Sequence, residues 1–401
     1  MLSQRITNPV RVAIIGAGSR AINFCSFISK NADKAILIAM ADTNTEKAQI
    51  LNKYYNLNAR IYDSFQPIVE DESIEAVLIS TPDYIHVAPA SAALRADKHV
   101  YLEKPLAVTV ADCDEIIDVA KYSNSICYLG FNLRHSPLYE NIHNLINAGK
   151  IGKIVTIEAN EWYYGGKTYF RRWNRFRKFG GGLWLTKACH DFDLINWMTG
   201  GKPESIYATS NLSHYKSIEN GGERCSNCII KDTCPDYYDI NKILDDEHSE
   251  IWRQLQLTME QDTNSSPDVC LFNSEKDTFD NGIAVVNYDN DIRATYTVNV
   301  LAARNTRQMR IIGTEGMIES DTENAIITLT QRHTNKMMKY DLSKQTDGSH
   351  AGADERILAD FFYVCRNGGI PRSGLIDGRL AVAVSLAAQE SDDNNRVIKI
   401  P

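Results

Sequence analysis

The chain has 401 residues, more than one hydrophobic core usually organises, and 43% of them are apolar, so two packed domains are expected and wholesale disorder is excluded. Its 43 basic and 51 acidic residues leave a formal charge of −8 without a long Lys/Arg block, which argues against nucleic acid as a partner. No run of about 18 apolar residues and no secretory pattern at Met1 to Pro9 is present, and nine scattered cysteines do not form a disulfide framework, so a cytoplasmic, non-membrane protein is expected.

From Val10 onward, short β-rich runs alternate with helical patterns. Strands are predicted at Val10 to Ile15, Ala35 to Ala41, Ala76 to Ser80, His99 to Leu102 and Ile126 to Gly130, with amphipathic segments between them. That repetition predicts an α/β fold with a doubly wound parallel (Rossmann) sheet. From about Ile154 the runs lengthen and alternate apolar with polar, through Ile206 to Ser210, Gly282 to Asn287, Arg293 to Val300, Gln308 to Gly313, Gly316 to Ser320 and Ala325 to Thr330. Alternation of that kind predicts a largely antiparallel open sheet with one face covered by helices. Helical patterns at Ala353 to Arg366 and Ile376 to Ser391 end the chain. The expected division is 1–131 for a dinucleotide-binding domain and 132–401 for a C-terminal α/β domain, the latter carrying a cysteine-containing insertion at about 215–275.

The most specific local signal is Gly16, Gly18 and Ala21, which follow a strand and open a helix. The first glycine makes the tight turn, the second admits a pyrophosphate to the backbone, and Ser19 and Arg20 begin the helix whose N-terminus favours the anion. Asp42 stands roughly 20 residues on, at the end of the second strand, where a carboxylate accepts the ribose hydroxyls of NAD. No Arg follows it to receive a 2′-phosphate, so NAD is favoured over NADP.

Two further strand ends carry Thr81, Pro82, Asp83 and His86, and then Glu103, Lys104 and Pro105. Together with the glycine turn, and with Gly180 to Gly182 leading to His190 and Asp193, these segments resemble the family of glucose-fructose oxidoreductase, inositol dehydrogenase and their rhizopine-catabolism relatives (Gfo/Idh/MocA). The resemblance spans nearly the whole chain. It implies an enzyme that moves a hydride between a nicotinamide and a carbinol of a sugar, cyclitol or related polyhydroxylated molecule. It also implies cofactor contacts at Thr81, Pro82, His86, Glu103 and Lys104, a cis peptide before Pro105, and an oligomer, dimer or tetramer, formed through the C-terminal sheet. Lys104 and His190 are its catalytic pair. An ammonium can hydrogen-bond the reacting oxygen, and an imidazole titrates near neutrality. The family often has an Asp four residues before that histidine; this chain has Thr186, with Lys187 beside it.

Asn132, Arg134, Tyr163, Arg172, Trp173, Thr186, Lys187 and Asp193 are candidates for the substrate pocket, because directional donors and aromatic faces suit a hydroxylated or anionic ligand. The basic stretch Arg171 to Lys178 is interleaved with aromatics and is expected to line that pocket. Cys225, Cys228 and Cys234, spaced as a metal knuckle in a polar segment, form a candidate structural zinc site with Cys270 as fourth ligand, Cys189 or His248 being alternatives. Two other functions compatible with the fold are a glycosidase that oxidises its sugar transiently while retaining NAD, and a dinucleotide-binding regulator without catalysis.

Overall fold

The computed structural model describes residues 9–242, 249–259, 266–346 and 352–401. Val10–Ile15 (β1), Ala35–Ala41 (β2), Arg60–Tyr62 (β3), Ala76–Ile79 (β4), His99–Leu102 (β5) and Cys127–Leu129 (β6) form one parallel sheet in the order β3-β2-β1-β4-β5-β6. Its central strands are buried on both faces, which is why they read as unbroken apolar runs such as AlaValLeuIle in β4. The edge strand β3, ArgIleTyr, is short and half-exposed and carries no such signal.

The second sheet has nine strands among the described residues: Ile154–Tyr164 (β7), Pro203–Asn211 (β8), Asn281–Tyr288 (β9), Arg293–Asn299 (β10), Leu301–Gly313 (β11), Gly316–Asp321 (β12), Ile326–Gln331 (β13), Met337–Asp341 (β14) and Ile398–Lys399 (β15). Their order is β14-β13-β12-β11-β7-β10-β9-β8-β15, antiparallel throughout except between β7 and β10. Alternate residues, for example Gly282, Ala284 and Val286, face the core that holds Trp184, Phe192 and Tyr296, while Ile283 and Val285 point outward.

The last two helices join the two halves. Ala353–Asn367 sets Ile357, Phe361 and Phe362 against Phe24, Phe27 and Tyr101 on one face of the parallel sheet. Leu375–Asn394 packs Ala381 and Val382 on the other face, and Val384 and Ala388 into the core of the second sheet. At Gly378 a Cβ would lie 2.4 Å from Leu129 Cδ2, so the close approach of that helix to β6 needs glycine. No helix among the described residues is long and apolar enough to cross a membrane.

Candidate active site

The strand order reverses between β1 and β4, and the crevice outside their carboxyl ends is where open α/β sheets hold ligands. Gly16 follows β1 with φ +96°, and a Cβ there would stand 2.7 Å from the backbone of Ser80 and Thr81, so the turn admits only glycine. Gly18 faces open space, with nothing within 4 Å of where its Cβ would be. The helix that it starts, Ser19–Lys30, has no side-chain cap, leaving its first N–H groups available to an anion.

Asp42 buttresses this turn. Its Oδ2 accepts from the Ala17 N–H at 2.7 Å and its Oδ1 from the Asn44 N–H at 2.8 Å, leaving lone pairs for ribose hydroxyls. The Thr81 hydroxyl is buried without a partner among the described residues, one more polar group at the crevice. The tight turn, the open cradle and the carboxylate together fit a dinucleotide.

Two of the expected cofactor contacts are engaged elsewhere. Arg20 donates to Glu103 at 2.5 Å and to Asp354 at 2.8 Å, tying the glycine helix to Ala353–Asn367. His86 is fully buried, its Nδ1 2.9 Å from the Pro105 carbonyl and its Nε2 3.1 Å from the Thr81 carbonyl. It therefore braces the loops that carry Thr81, Pro82 and Lys104, and has no surface left for a cofactor.

Lys104 stands just beyond β5, before a cis peptide to Pro105, and its Nζ donates to the Thr186 carbonyl at 2.9 Å. Gly181 and Gly182, with φ of +67° and +77°, reverse the chain into the turn Leu183–Thr186 and then the helix Cys189–Thr199. His190 lies in the first turn of that helix, 7% exposed, with its ring edge toward Phe131. The Thr186 that holds the ammonium stands four residues before His190 in the chain.

A carboxylate missing from position 186 is supplied from another element. The Thr186 hydroxyl donates to Asp83 Oδ2 at 3.3 Å, and Asp83 feels the Lys104 ammonium. Burial pushes the Asp83 carboxyl up to about 7, against that charge. As pH rises through about 7 the carboxyl ionises and Lys104 gains an anionic neighbour, so Asp83→Asn is expected to delete one ionisation from the kcat/KM profile. An unchanged profile would remove Asp83 from the site. Linkage gives a second readout. A raised folded-state pKa makes stability decline as pH climbs from the ordinary carboxyl value toward 7, and the Asn variant loses that slope.

Lys187 Nζ pairs with Glu161 at 2.7 Å and sits 4.0 Å over the Tyr163 ring. Glu161 also contacts Arg307, which bonds Asp191 at 2.8 Å, and Asp191 in turn accepts from the Tyr296 hydroxyl at 2.9 Å. This buried chain of two cations and two anions is internally balanced. Arg172 is different. Its guanidinium lies 5.0 Å from the Trp252 ring centroid and has no carboxylate partner among the described residues; burial pushes its pKa down. Trp173 is half-buried and stacks edge-on against Tyr84. The neighbouring Arg171 and Arg175 are spent on backbone carbonyls, and Arg177 on Asp393.

Three candidates for substrate contact instead hold the scaffold together. Arg134 and Asp193 pair with each other through two bonds of 2.9 and 2.6 Å, both nearly inaccessible. Asn132 donates to Asp354 at 2.7 Å. As for metal, no group of three or more His, Cys, Asp or Glu side chains among the described residues is gathered to hold an ion, and His248 lies outside those residues.

A glycine-turn dinucleotide crevice with a lysine at the end of a neighbouring strand is the arrangement of a nicotinamide-dependent oxidoreductase. Comparison with known proteins agrees: residues 10–131 match the model of the oxidoreductase family with NAD-binding Rossmann fold, and residues 143–400 match that family's C-terminal alpha/beta domain. The chain belongs to this Gfo/Idh/MocA family. It is 31% identical over 353 residues to the putative oxidoreductase YteT of Bacillus subtilis, covering 82% of this chain and 81% of that one. It is also 26% identical over 216 residues to myo-inositol 2-dehydrogenase of Thermotoga maritima, covering 53% of this chain and 62% of that one. A levoglucosan dehydrogenase solved with NADH and levoglucosan superposes with a TM-score of 0.76 at 18% identity, over 98% of this chain and all (100%) of the other, a likeness of fold.

Proposed function

We propose that this protein is an NAD-dependent dehydrogenase that oxidises a secondary hydroxyl of a sugar, cyclitol or related polyhydroxylated acid. The observation that carries the reading is Lys104, held at the switch-point crevice against the turn that leads to His190. Gly16, Gly18, Ser19, Asp42, Thr81 and Pro82 would hold NAD, which when bound supplies the hydride acceptor. Lys104 donates a hydrogen bond to the reacting oxygen and stabilises the charge that develops as the O–H proton departs. His190 receives that proton. Asp83 and Thr186 position the ammonium, and Lys187 and Tyr163 form the facing wall.

Arg172 supports a substrate with an anionic or oxygen-rich end, because a crowded guanidinium without a carboxylate is costly until a ligand pairs with it. The relatives named as inositol and levoglucosan dehydrogenases support the polyhydroxylated class. We further propose residues 1–131 and 132–401 as the two functional units, with a homo-oligomer built on the outward face of the second sheet. There Tyr207 lies opposite Val285, and Ile283 and Ile312 are also exposed. None of the nine cysteines is in a disulfide, which fits a reducing cytoplasm.

The test is the near-ultraviolet absorbance of reduced nicotinamide when the protein meets NAD, or NADP, with inositols, aldoses and sugar acids. A rise with NAD and one of these classes is expected, strongest for compounds bearing a carboxylate. No rise with any of them, from protein that releases bound NAD on denaturation, would overturn the reading in favour of a cofactor-retaining glycosidase or a regulator.

A further inference from the structure

The insertion between β8 and β9 has little regular structure among the described residues: a single helical turn at Cys225–Asn227, the helix Ser249–Leu257, and one antiparallel bridge between Arg224 and Val269. Its inner part is nonetheless organised around cysteine. The Cys225 N–H donates to the Asp268 carbonyl and the Cys270 N–H to the Glu223 carbonyl, each at 2.8 Å. Since the bridged pair faces one side, alternation sets Cys225 and Cys270 together on the other. Cys228 follows with its N–H 3.3 Å from the Cys225 carbonyl. The four residues Cys225, Cys228, Cys234 and Cys270 line one small cavity, with Arg224 and Lys231 also in its wall.

Two backbone donors are aimed at sulphur in this cluster. The Gly222 N–H lies 3.3 Å from Cys228 Sγ, and the Asn273 N–H lies 3.4 Å from Cys270 Sγ. The thiolate, not the thiol, is the metal ligand. The sulphurs border the cavity without closing on one centre.

We propose that these four cysteines bind a single zinc-class divalent cation in a tetrahedral, all-thiolate site. Four soft donors select zinc over magnesium or calcium, and binding draws the sulphurs in to about 2.3 Å from the ion while releasing the thiol protons. Four thiolates around a dication carry a net double negative charge, toward which Lys231 stands in the cavity wall, while Arg224 is paired with Asp268 at 2.6 Å. A shell filled by protein leaves no open position, so the ion is structural. What it steadies is the insertion's attachment: the same insertion lays Ile251 and Leu255 against the dinucleotide domain's core and Trp252 beside Arg172.

The experiment is metal analysis of the full chain purified without chelator, followed by exchange with Co2+. About one zinc per chain is expected, and cobalt should give the intense visible bands and sulphur charge-transfer band of a tetrahedral thiolate site. Cys270→Ser should lose the ion and those bands, whereas Cys113→Ala, in the core of the parallel sheet, should keep both. A reduced chain that is metal-free and gives no cobalt bands overturns the proposal. Iron with inorganic sulphide, or an ion retained by Cys270→Ser, overturns it as well.

Discussion

Lys104→Met is expected to lower kcat by about a thousandfold while leaving the Kd for NAD within a few-fold of wild type. The dinucleotide cradle is built from Gly16, Gly18 and Asp42, none of which bonds the Lys104 ammonium. Methionine keeps most of the volume and loses the charge and donor, so the change removes an interaction that strengthens as the hydroxyl proton leaves. It also leaves the Thr186 carbonyl without its 2.9 Å partner and Asp83 without the nearby cation. Steady-state kinetics alongside NAD titration by fluorescence separate these effects. Wild-type turnover in the methionine variant would end the assignment of Lys104. Loss of turnover together with NAD binding would make Lys104 a cofactor ligand first.

The parallel sheet and the glycine turn were legible in the sequence because each is a local pattern. β4 and β5 are apolar runs, Gly16 and Gly18 sit two residues apart, and Asp42 follows at a spacing set by one strand and one helix. β3, β14 and β15 were missed, since they are short edge or near-edge pieces with exposed residues and no alternation strong enough to register. What the sequence could not disclose was pairing. A polar residue beside a strand end reads as a ligand when its partner is distant in the chain, and Arg134, Asn132 and Arg20 all proved to have carboxylate partners in remote segments. His86 was misread for the same reason, because its partners are backbone carbonyls, which leave no mark in a sequence. Conversely, Asp83 was visible as a motif residue, but its part beside Lys104 depends on a fold that brings it to Thr186. Arg307, from a strand far along the chain, gave no signal that it would balance Glu161 and Asp191.

Arg134→Met is expected to destabilise the protein by about 3–5 kcal/mol at neutral pH, the largest loss among single substitutions of the paired residues. Arg134 bonds both oxygens of Asp193, the Arg372 carbonyl at 2.9 Å and Asp377 at 3.0 Å. It thereby joins the segment after β6, the helix that carries His190, and the start of Leu375–Asn394. Methionine fills the space but leaves Asp193, 2% exposed, as an uncompensated buried carboxylate. Such a carboxyl has a folded-state pKa above its unfolded value. Desolvation already raises the Asp193 carboxyl to about 6 beside Arg134, and loss of the guanidinium raises it further, so the penalty is smallest in acid and grows as pH climbs above about 6, a higher window than that of an ordinary lost salt bridge. Denaturant melts of wild type and variant across pH measure this directly. Adding Asp193→Asn to Arg134→Met should recover part of the loss at neutral pH and flatten its pH dependence. If the single variant is as stable as wild type at neutral pH, Asp193 is not held as a buried anion, and the tie between His190's helix and the dinucleotide domain rests on packing alone.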